Sequence, residues 1–195
     1  GQNIFVSASI GIALAPANGI QAAELLKKAD LALYKVKSDG RANFSFFADH
    51  LSDKADTRLK LINDMRTALS GGEFELHYQP LFDAGTSRPC AMEALVRWRH
   101  PVAGLLYPDS FIGIAEETGL MEPLGKWILQ RACTDATGWP DGIKVAVNLS
   151  AGQFRTGSLY DFTRDALTAS GLPANRLELE ITESLLLQDK ESNIH

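Results

Sequence analysis

From residue 73 onward the sequence alternates between strand-like and helix-like patterns, and this alternation restricts the fold more than any other feature. Strand patterns cover residues 74–82, 91–98, 144–149 and 177–182, and helical periodicity covers residues 108–117, 124–137 and 159–170. Strands that alternate with helices predict an α/β architecture with a largely parallel sheet or barrel. Four strands are too few to close a barrel of eight.

The first part of the chain has a different pattern. An apolar, strand-like run covers residues 5–13, a helical pattern covers 22–38, and a short closing strand is predicted at 44–47. One helix and two strands are too little for an independent core. A second helical pattern at 51–69 ends at Gly71 and Gly72 and predicts a helix that connects this part to the rest.

Charge and composition exclude several classes of protein. The net charge of −5 disfavours a protein that binds nucleic-acid polymers without specificity, because such binding needs an excess of Lys and Arg. Cys90 and Cys133 lack the spacing of a metal site, and two thiols favour a reducing compartment. We find neither a signal peptide nor an apolar run near the roughly 20 residues of a membrane span. The sequence therefore predicts a cytoplasmic chain.

The strand pattern at 91–98 places polar side chains on one face. Alternation puts Glu93, Leu95 and Arg97 on the same side of the strand. Glu93 and Arg97 lie about 13 Å apart along it, which is too far for an ion pair. The two groups suit the two ends of a long ligand, or they flank the strand as solvated ends with unrelated partners.

Two later strand patterns also carry oxygen-bearing side chains. Asn148 ends an apolar run, at the position where parallel α/β folds keep their active groups, and Glu180 shares a face with Glu178. Buried carboxylates are costly unless they are paired or bind a metal. Glu93, Asn148 and Glu180 are therefore candidate oxygen ligands of Mg²⁺ or Mn²⁺, and the absence of His and Cys from the set argues against Zn²⁺.

Several motifs, in order over about 115 residues, give the chain a specific resemblance. They comprise Tyr78-Gln79-Pro80, Glu93-Ala94-Leu95-Val96-Arg97, Ala115-Glu116-Glu117-Thr118-Gly119, Asn148-Leu149-Ser150 with Gln153-Phe154, and Glu178-Leu179-Glu180-Ile181-Thr182-Glu183. This pattern resembles the EAL family. The resemblance implies a phosphodiesterase that linearises cyclic di-GMP to pGpG on a modified (β/α)₈ barrel whose first strand is antiparallel.

The resemblance also implies roles for single residues. Glu93, Asn148 and Glu180 would bind Mg²⁺ or Mn²⁺, and Glu183 would order a neighbouring loop of the catalytic site. Three further residues would line the substrate site: Gln79 facing a guanine, Leu95, and Arg97 facing a phosphate. The implied reaction is an in-line displacement at phosphorus in which metal ions stabilise charge.

The N-terminal part resembles the end of a GGDEF, or diguanylate cyclase, domain of α+β type. The matching residues include Ser9-Ile10-Gly11-Ile12, Ala29-Asp30, Ala32-Leu33-Tyr34, Lys37, Gly40 and Arg41. By this resemblance Lys37 and Arg41 would contact nucleotide phosphates. The Gly-Gly-Asp-Glu-Phe signature does not occur in the sequence, so we expect no cyclase activity from this chain.

Together the two resemblances predict three regions: the end of a GGDEF domain at 1–47, a linker helix at 48–72, and the first half of an EAL barrel at 73–195. The later EAL motifs do not occur, so we expect a piece of a longer GGDEF–EAL protein that hydrolyses little cyclic di-GMP by itself. We also expect a homodimer formed through the EAL domain. The alternative is a degenerate EAL module that acts as a cyclic di-GMP receptor or interaction domain without catalysis.

Overall fold

The structure is a computed structural model that describes residues 6–150, 153 and 159–181. The chain divides into two compact units, Gly1–Leu61 and Ile62–His195. None of the helices in the described ranges combines the length and the apolar character needed to cross a membrane.

The first unit contains two short parallel strands and a helix. They are β1 (Ile10–Ile12), α1 (Ala22–Ser38) and β2 (Phe44–Phe46), and Ile10 lies opposite Phe44. A Cβ atom on Gly11 would lie 2.0 Å from the Ala29 carbonyl oxygen, so the close approach of α1 to β1 requires glycine. Ala32, Phe47 and Leu51 form the buried cluster of this unit.

The strand predicted at residues 5–13 is much shorter in the structure. Residues 6–9 precede β1 and lie in no strand. The reason is the length of the partner: β2 has three residues, and Arg41 and Ala42 take positive φ angles just before it, which ends the ladder there. The prediction was wrong because a strand needs a neighbour to satisfy its backbone groups.

Helix α2 (His50–Gly71) contributes to the cores of both units. Leu51 is buried in the first unit, and Met65 and Ala68 are buried in the second. The helix extends one residue earlier and two residues later than the predicted 51–69. Its C-terminal end leads directly into the first strand of the second unit.

The second unit is a mixed sheet with helices. Its elements are β3 (Phe74–Phe82), β4 (Pro89–His100), β5 (Gly104–Leu106), α3 (Pro108–Thr118), α4 (Met121–Ala136), β6 (Lys144–Leu149), α5 (Leu159–Ser170), a 3₁₀ turn (Ala174–Arg176) and β7 (Leu177–Ile181). The strand order is β3-β4-β6-β7, and β5 pairs with β4. Strand β3 runs antiparallel to β4, whereas β4, β6 and β7 are mutually parallel, as expected for the barrel type that the sequence indicated.

One face of this sheet is buried. Ala94, Val96 and Trp98 of β4 and Val145 and Val147 of β6 all point to this face. Phe74 lies with its ring centroid 5.5 Å from that of Trp98 and 5.8 Å from that of Phe111 on α3. Because side chains alternate along a strand, burying these residues directs the intervening polar residues to the opposite face.

The sequence pattern of the last described strand predicts that Leu177, Leu179 and Ile181 pack on the face opposite Glu178 and Glu180, but two of these three side chains are partly exposed. Leu179 and Ile181 are 37% and 43% exposed. Helix α5 packs mainly against α4 and has few contacts with β7, so these side chains are only partly covered. The alternation correctly placed Leu179 and Ile181 on the face opposite Glu178 and Glu180, but alternation alone does not predict which helix covers that face.

His100 fixes the turn between β4 and β5. Its ring is buried, and Nδ1 accepts hydrogen bonds from the backbone N–H groups of Val102 and Ala103, each at 3.1 Å. The Nε2 atom lies 3.1 Å from a carboxylate oxygen of Asp64 on α2. One side chain therefore orders the turn and connects it to the end of α2 that belongs to this unit.

Tyr78 connects β3 to α4. Its hydroxyl donates a 2.8 Å hydrogen bond to Asp135, and its ring lies edge-on to Trp139 with centroids 4.9 Å apart. Burial and the neighbouring carboxylate raise the pKa of this phenol. The phenol therefore stays a neutral hydrogen-bond donor.

We expect Tyr78→Phe to lower the free energy of unfolding of the second unit by about 1 kcal/mol, because Asp135 loses a partly buried donor. The measurement is urea denaturation followed by Trp fluorescence, which reports this unit because all three Trp residues lie in it. Tyr160→Phe is the matched control, since that side chain is 74% exposed. Equal effects of the two variants would contradict the assignment.

The two cysteines should differ in reactivity. Cys133 is buried in α4, and burial raises the pKa of its thiol to about 11, whereas Cys90 is exposed. At pH 8 the Cys133 thiol stays protonated and out of reach, and only thiolates react. We expect iodoacetamide to label Cys90 in the native protein and Cys133 only after denaturation, as read by peptide mass spectrometry. Equal native labelling of both would overturn the packing of α4.

Candidate functional site

The face of the sheet opposite the buried one carries the polar residues singled out in the sequence. Gln79 on β3 lies opposite Glu93 on β4, and Asn148 on β6 lies opposite Glu180 on β7. Strands β4 and β6 are neighbours, with Glu93 opposite Ala146. These pairings bring four polar side chains from four strands together on one face, in a row that steps by two residues between Glu93 and Asn148.

The residues in the middle of this row interact with one another. The Nδ2 atom of Asn148 donates a 2.6 Å hydrogen bond to Oε1 of Glu93. Desolvation raises the pKa of Glu180, and the negative charges of Glu93 and Glu178 raise it further. Two carboxylates therefore repel each other across an exposed amide.

This donor set fits a hard divalent cation. Within the described ranges, no three His, Cys, Asp or Glu side chains are placed to hold a metal ion, and the candidate set here consists of two carboxylates and one amide. Asn148 uses its nitrogen for Glu93, which leaves its oxygen for another partner. A cation between the carboxylates of Glu93 and Glu180 would remove their repulsion, and oxygen ligands suit Mg²⁺ or Mn²⁺.

Lys144 and Glu178 form an ion pair on the same face, next to the row. Their Nζ and Oε1 atoms are 2.6 Å apart. Lys144 pairs with Glu178, whereas the structure gives Glu180 no such partner among the described residues. Our sequence analysis missed Lys144, although its spacing of four residues from Asn148 on one strand would have placed both side chains on one face.

Arg97 lies at the other end of β4 from Glu93, and the two side chains form no ion pair. Its Nη1 atom donates a 2.8 Å hydrogen bond to the Val96 carbonyl, and its guanidinium lies 4.9 Å from the centre of the Tyr107 ring. The Nε atom is buried and has no hydrogen-bond partner among the residues that the structure describes. Arg97 thus keeps donor capacity for an anion.

The remaining predicted residues are distributed as follows. Gln79 is exposed beside Glu93, and Leu95 is half-buried opposite His77. Lys37 and Arg41 are exposed at the end of α1 and in the turn that follows it, both in the first unit. Glu183 lies outside the described residues.

Gln153 supports the chain directly after Asn148. Its side chain is buried, and its Oε1 accepts a 2.9 Å hydrogen bond from the Ser150 backbone N–H. A Cβ atom on Gly125 of α4 would lie 2.1 Å from Nε2 of Gln153, so a larger residue there would displace this amide from its present position. The sequence contained no local sign that Gly125 and Gln153 meet.

Comparisons with known proteins show which families this chain resembles. The family model "EAL domain" matches residues 62–195, and "Diguanylate cyclase, GGDEF domain" matches residues 1–43. The chain is 42% identical over all its residues to cyclic di-GMP phosphodiesterase NbdA of Pseudomonas aeruginosa and, over 97% of them, 41% identical to bifunctional diguanylate cyclase/cyclic di-GMP phosphodiesterase MucR of the same organism.

A solved structure of PaMucR phosphodiesterase in complex with c-di-GMP superposes with a TM-score of 0.63 at 39% identity, over 68% of this chain and 56% of that one. The chain spans 25% of the length of NbdA and 28% of the length of MucR. The similarity therefore covers a minor part of each relative.

In the metal-free protein we expect Glu180→Gln to raise stability at pH 7, because it removes a carboxylate whose charge is disfavoured by desolvation and by the charges of Glu93 and Glu178. The raised pKa means that the folded state opposes ionisation. The gain should therefore shrink as the pH falls through the raised pKa of folded Glu180 and be lost below the ordinary carboxyl value of 4.5, where wild-type Glu180 is protonated in both states. Thermal unfolding between pH 4 and pH 7, with EDTA present, measures it.

Glu178→Gln is the matched control for this experiment. That variant removes a carboxylate from the same strand face but leaves Lys144 without its partner, so we expect no gain in stability from it. A similar gain from both variants would contradict the different charge environments of Glu178 and Glu180.

Proposed function

This chain belongs to the EAL domain family, and we propose that it is part of a cyclic di-GMP phosphodiesterase. The enzyme would hydrolyse cyclic di-GMP to linear pGpG in bacterial second-messenger signalling. The observation that supports this proposal most strongly is the row formed by Gln79, Glu93, Asn148 and Glu180 on one sheet face. Relatives named as cyclic di-GMP phosphodiesterases add to that support.

Glu93, Asn148 and Glu180 are the residues that we assign to metal binding. EAL phosphodiesterases generally depend on divalent metal ions, and the oxygen donors of this site favour Mg²⁺ or Mn²⁺. A bound cation would supply positive charge that activates water and stabilises charge developing on the phosphate. Asn148 holds the Glu93 carboxylate in place through its amide, and we assign Glu183 to the ordering of a nearby loop.

Arg97, Gln79 and Leu95 are the residues that we assign to the substrate. A carboxylate-rich face repels a phosphodiester, so a cationic side chain is needed to attract it. Arg97 meets this need because it forms no ion pair among the described residues, and a guanidinium can donate two parallel hydrogen bonds to a phosphate. Gln79 would face a guanine, and Leu95 supplies an apolar contact between the two ends of the site.

The proposal extends to the remaining parts of the chain. Lys37 and Arg41 would contact nucleotide phosphates in a GGDEF domain, and both are exposed, as this role requires. We place the protein in the cytoplasm, where free thiols such as Cys90 and Cys133 persist. A homodimer through the EAL domain and the regions 1–47, 48–72 and 73–195 remain predictions.

The test is hydrolysis of cyclic di-GMP by the protein that carries this chain, with Mg²⁺ or Mn²⁺ and chromatographic detection of pGpG. We expect turnover that EDTA abolishes. Glu93→Gln should reduce kcat to about one hundredth or less, because even outer contacts of metal ligands typically contribute 10- to 100-fold.

Glu122→Gln, on the exposed start of α4, serves as the matched control and should leave kcat unchanged. Tight binding of cyclic di-GMP without turnover would overturn the phosphodiesterase proposal in favour of the receptor alternative. Absence of both binding and turnover would overturn both.

A further inference from the structure

The cross-strand neighbour of Arg97 is a carboxylate, yet the two do not pair. Glu75 on β3 lies directly opposite Arg97 on β4. Residues opposite each other in an antiparallel pair have Cβ atoms about 5 Å apart, which is close enough for an ion pair. The ion pairs of Glu75 in the structure are with other residues, and Arg97 has none among the described ones.

Two other side chains hold the Glu75 carboxylate. Arg99 donates from Nε at 3.1 Å and from Nη2 at 2.7 Å, so the contact involves both carboxylate oxygens. The Nε2 atom of His77 lies 2.9 Å from Oε1. These contacts lower the pKa of Glu75, with Arg99 the larger cause, so the carboxylate stays ionised while it is turned away from Arg97.

The aromatic ring of Tyr107 lies against the guanidinium of Arg97. Tyr107 is the residue before α3, and its carbonyl accepts hydrogen bonds from the Ser110 N–H at 3.0 Å and the Ser110 hydroxyl at 2.6 Å. Pro108 follows as the first helical residue, so the backbone that carries the ring is well fixed. The ring lies 4.9 Å from the guanidinium and is 58% exposed.

We propose that Tyr107 and Arg99 are positioning residues that keep Arg97 oriented and uncompensated for a phosphate group of the substrate. An aromatic face holds a guanidinium without neutralising it, whereas a carboxylate would compete with the phosphate. Arg99 takes up the nearest carboxylate, and Tyr107 sets the plane of the guanidinium. This inference rests on the proposed function, because it takes Arg97 as the residue that binds phosphate.

The Tyr107 part is tested with Tyr107→Leu and Tyr107→Phe in the protein that carries this chain. Leucine removes the aromatic face, and we expect KM for cyclic di-GMP to rise about two- to fivefold with kcat little changed. Phenylalanine keeps the face and should restore KM to near the wild-type value. Equal KM values for wild type and Tyr107→Leu, or equal increases in both variants, would overturn the proposal.

The Arg99 part has a rescue experiment. Arg99→Gln releases Glu75, which can then pair with Arg97, so KM should rise about two- to fivefold. Adding Glu75→Gln removes the competing carboxylate and should bring KM back toward wild type. A purely structural role of Arg99 predicts no rescue, and that result would overturn the proposal.

Arg97→Gln separates failure of this inference from failure of the proposed function. If wild type turns over cyclic di-GMP and Arg97→Gln raises KM, but Tyr107→Leu and Arg99→Gln do not, the positioning roles alone are wrong. If wild type shows no turnover, the proposed function has failed first. In the Arg97→Gln background, Tyr107→Leu should have no additional effect on KM, and an unchanged effect there would contradict the proposal.

Discussion

Burial of one face of the β3-β4-β6-β7 sheet is the constraint on which the second unit depends. Val145, Val147 and Leu149 of β6 are almost completely buried, so Asn148 must face the other way. If the pairing register of β6 shifted by one residue, the amide of Asn148 would be buried and the three apolar side chains would be exposed, at a cost of several kcal/mol. Hydrophobic packing therefore selects the pairing that gathers the polar residues, although none of those residues contributes to the packing.

On the polar face of the sheet, some of the described charged side chains form ion pairs and others do not. Glu178 has Lys144 as a partner, and Glu75 has Arg99. Glu93 and Glu180 remain as neighbouring negative charges at one end, and Arg97 remains as a cation at the other. A folded protein retains uncompensated groups of this kind at a cost in stability, which is typical of sites that bind charged ligands.

Local periodicity was sufficient to predict several elements, and contacts between distant residues were not predictable. The bounds of α1, β3, β6 and α5 agree with the sequence patterns, because each has a clear hydrophobic repeat. The sequence patterns did not predict β5, and they predicted too long a first strand, because the extent of a short strand depends on the strand with which it pairs. The position of Tyr107 beside Arg97, and the hydrogen bonds from Arg176 to the carbonyls of Ala136 and Ile143, join segments whose sequences carry no shared pattern.

The register shift near the turn between β3 and β4 limits how related sequences can gain or lose residues in these strands. Leu81 lies opposite Ala91 and Phe82 opposite Pro89, so Cys90 is an additional residue on β4. A single inserted residue reverses the direction of every later side chain on a strand unless a bulge absorbs it. A residue inserted within one of these paired strands is therefore tolerated only if a bulge is gained or lost at the same time. Otherwise Glu93 would exchange places with a buried alanine.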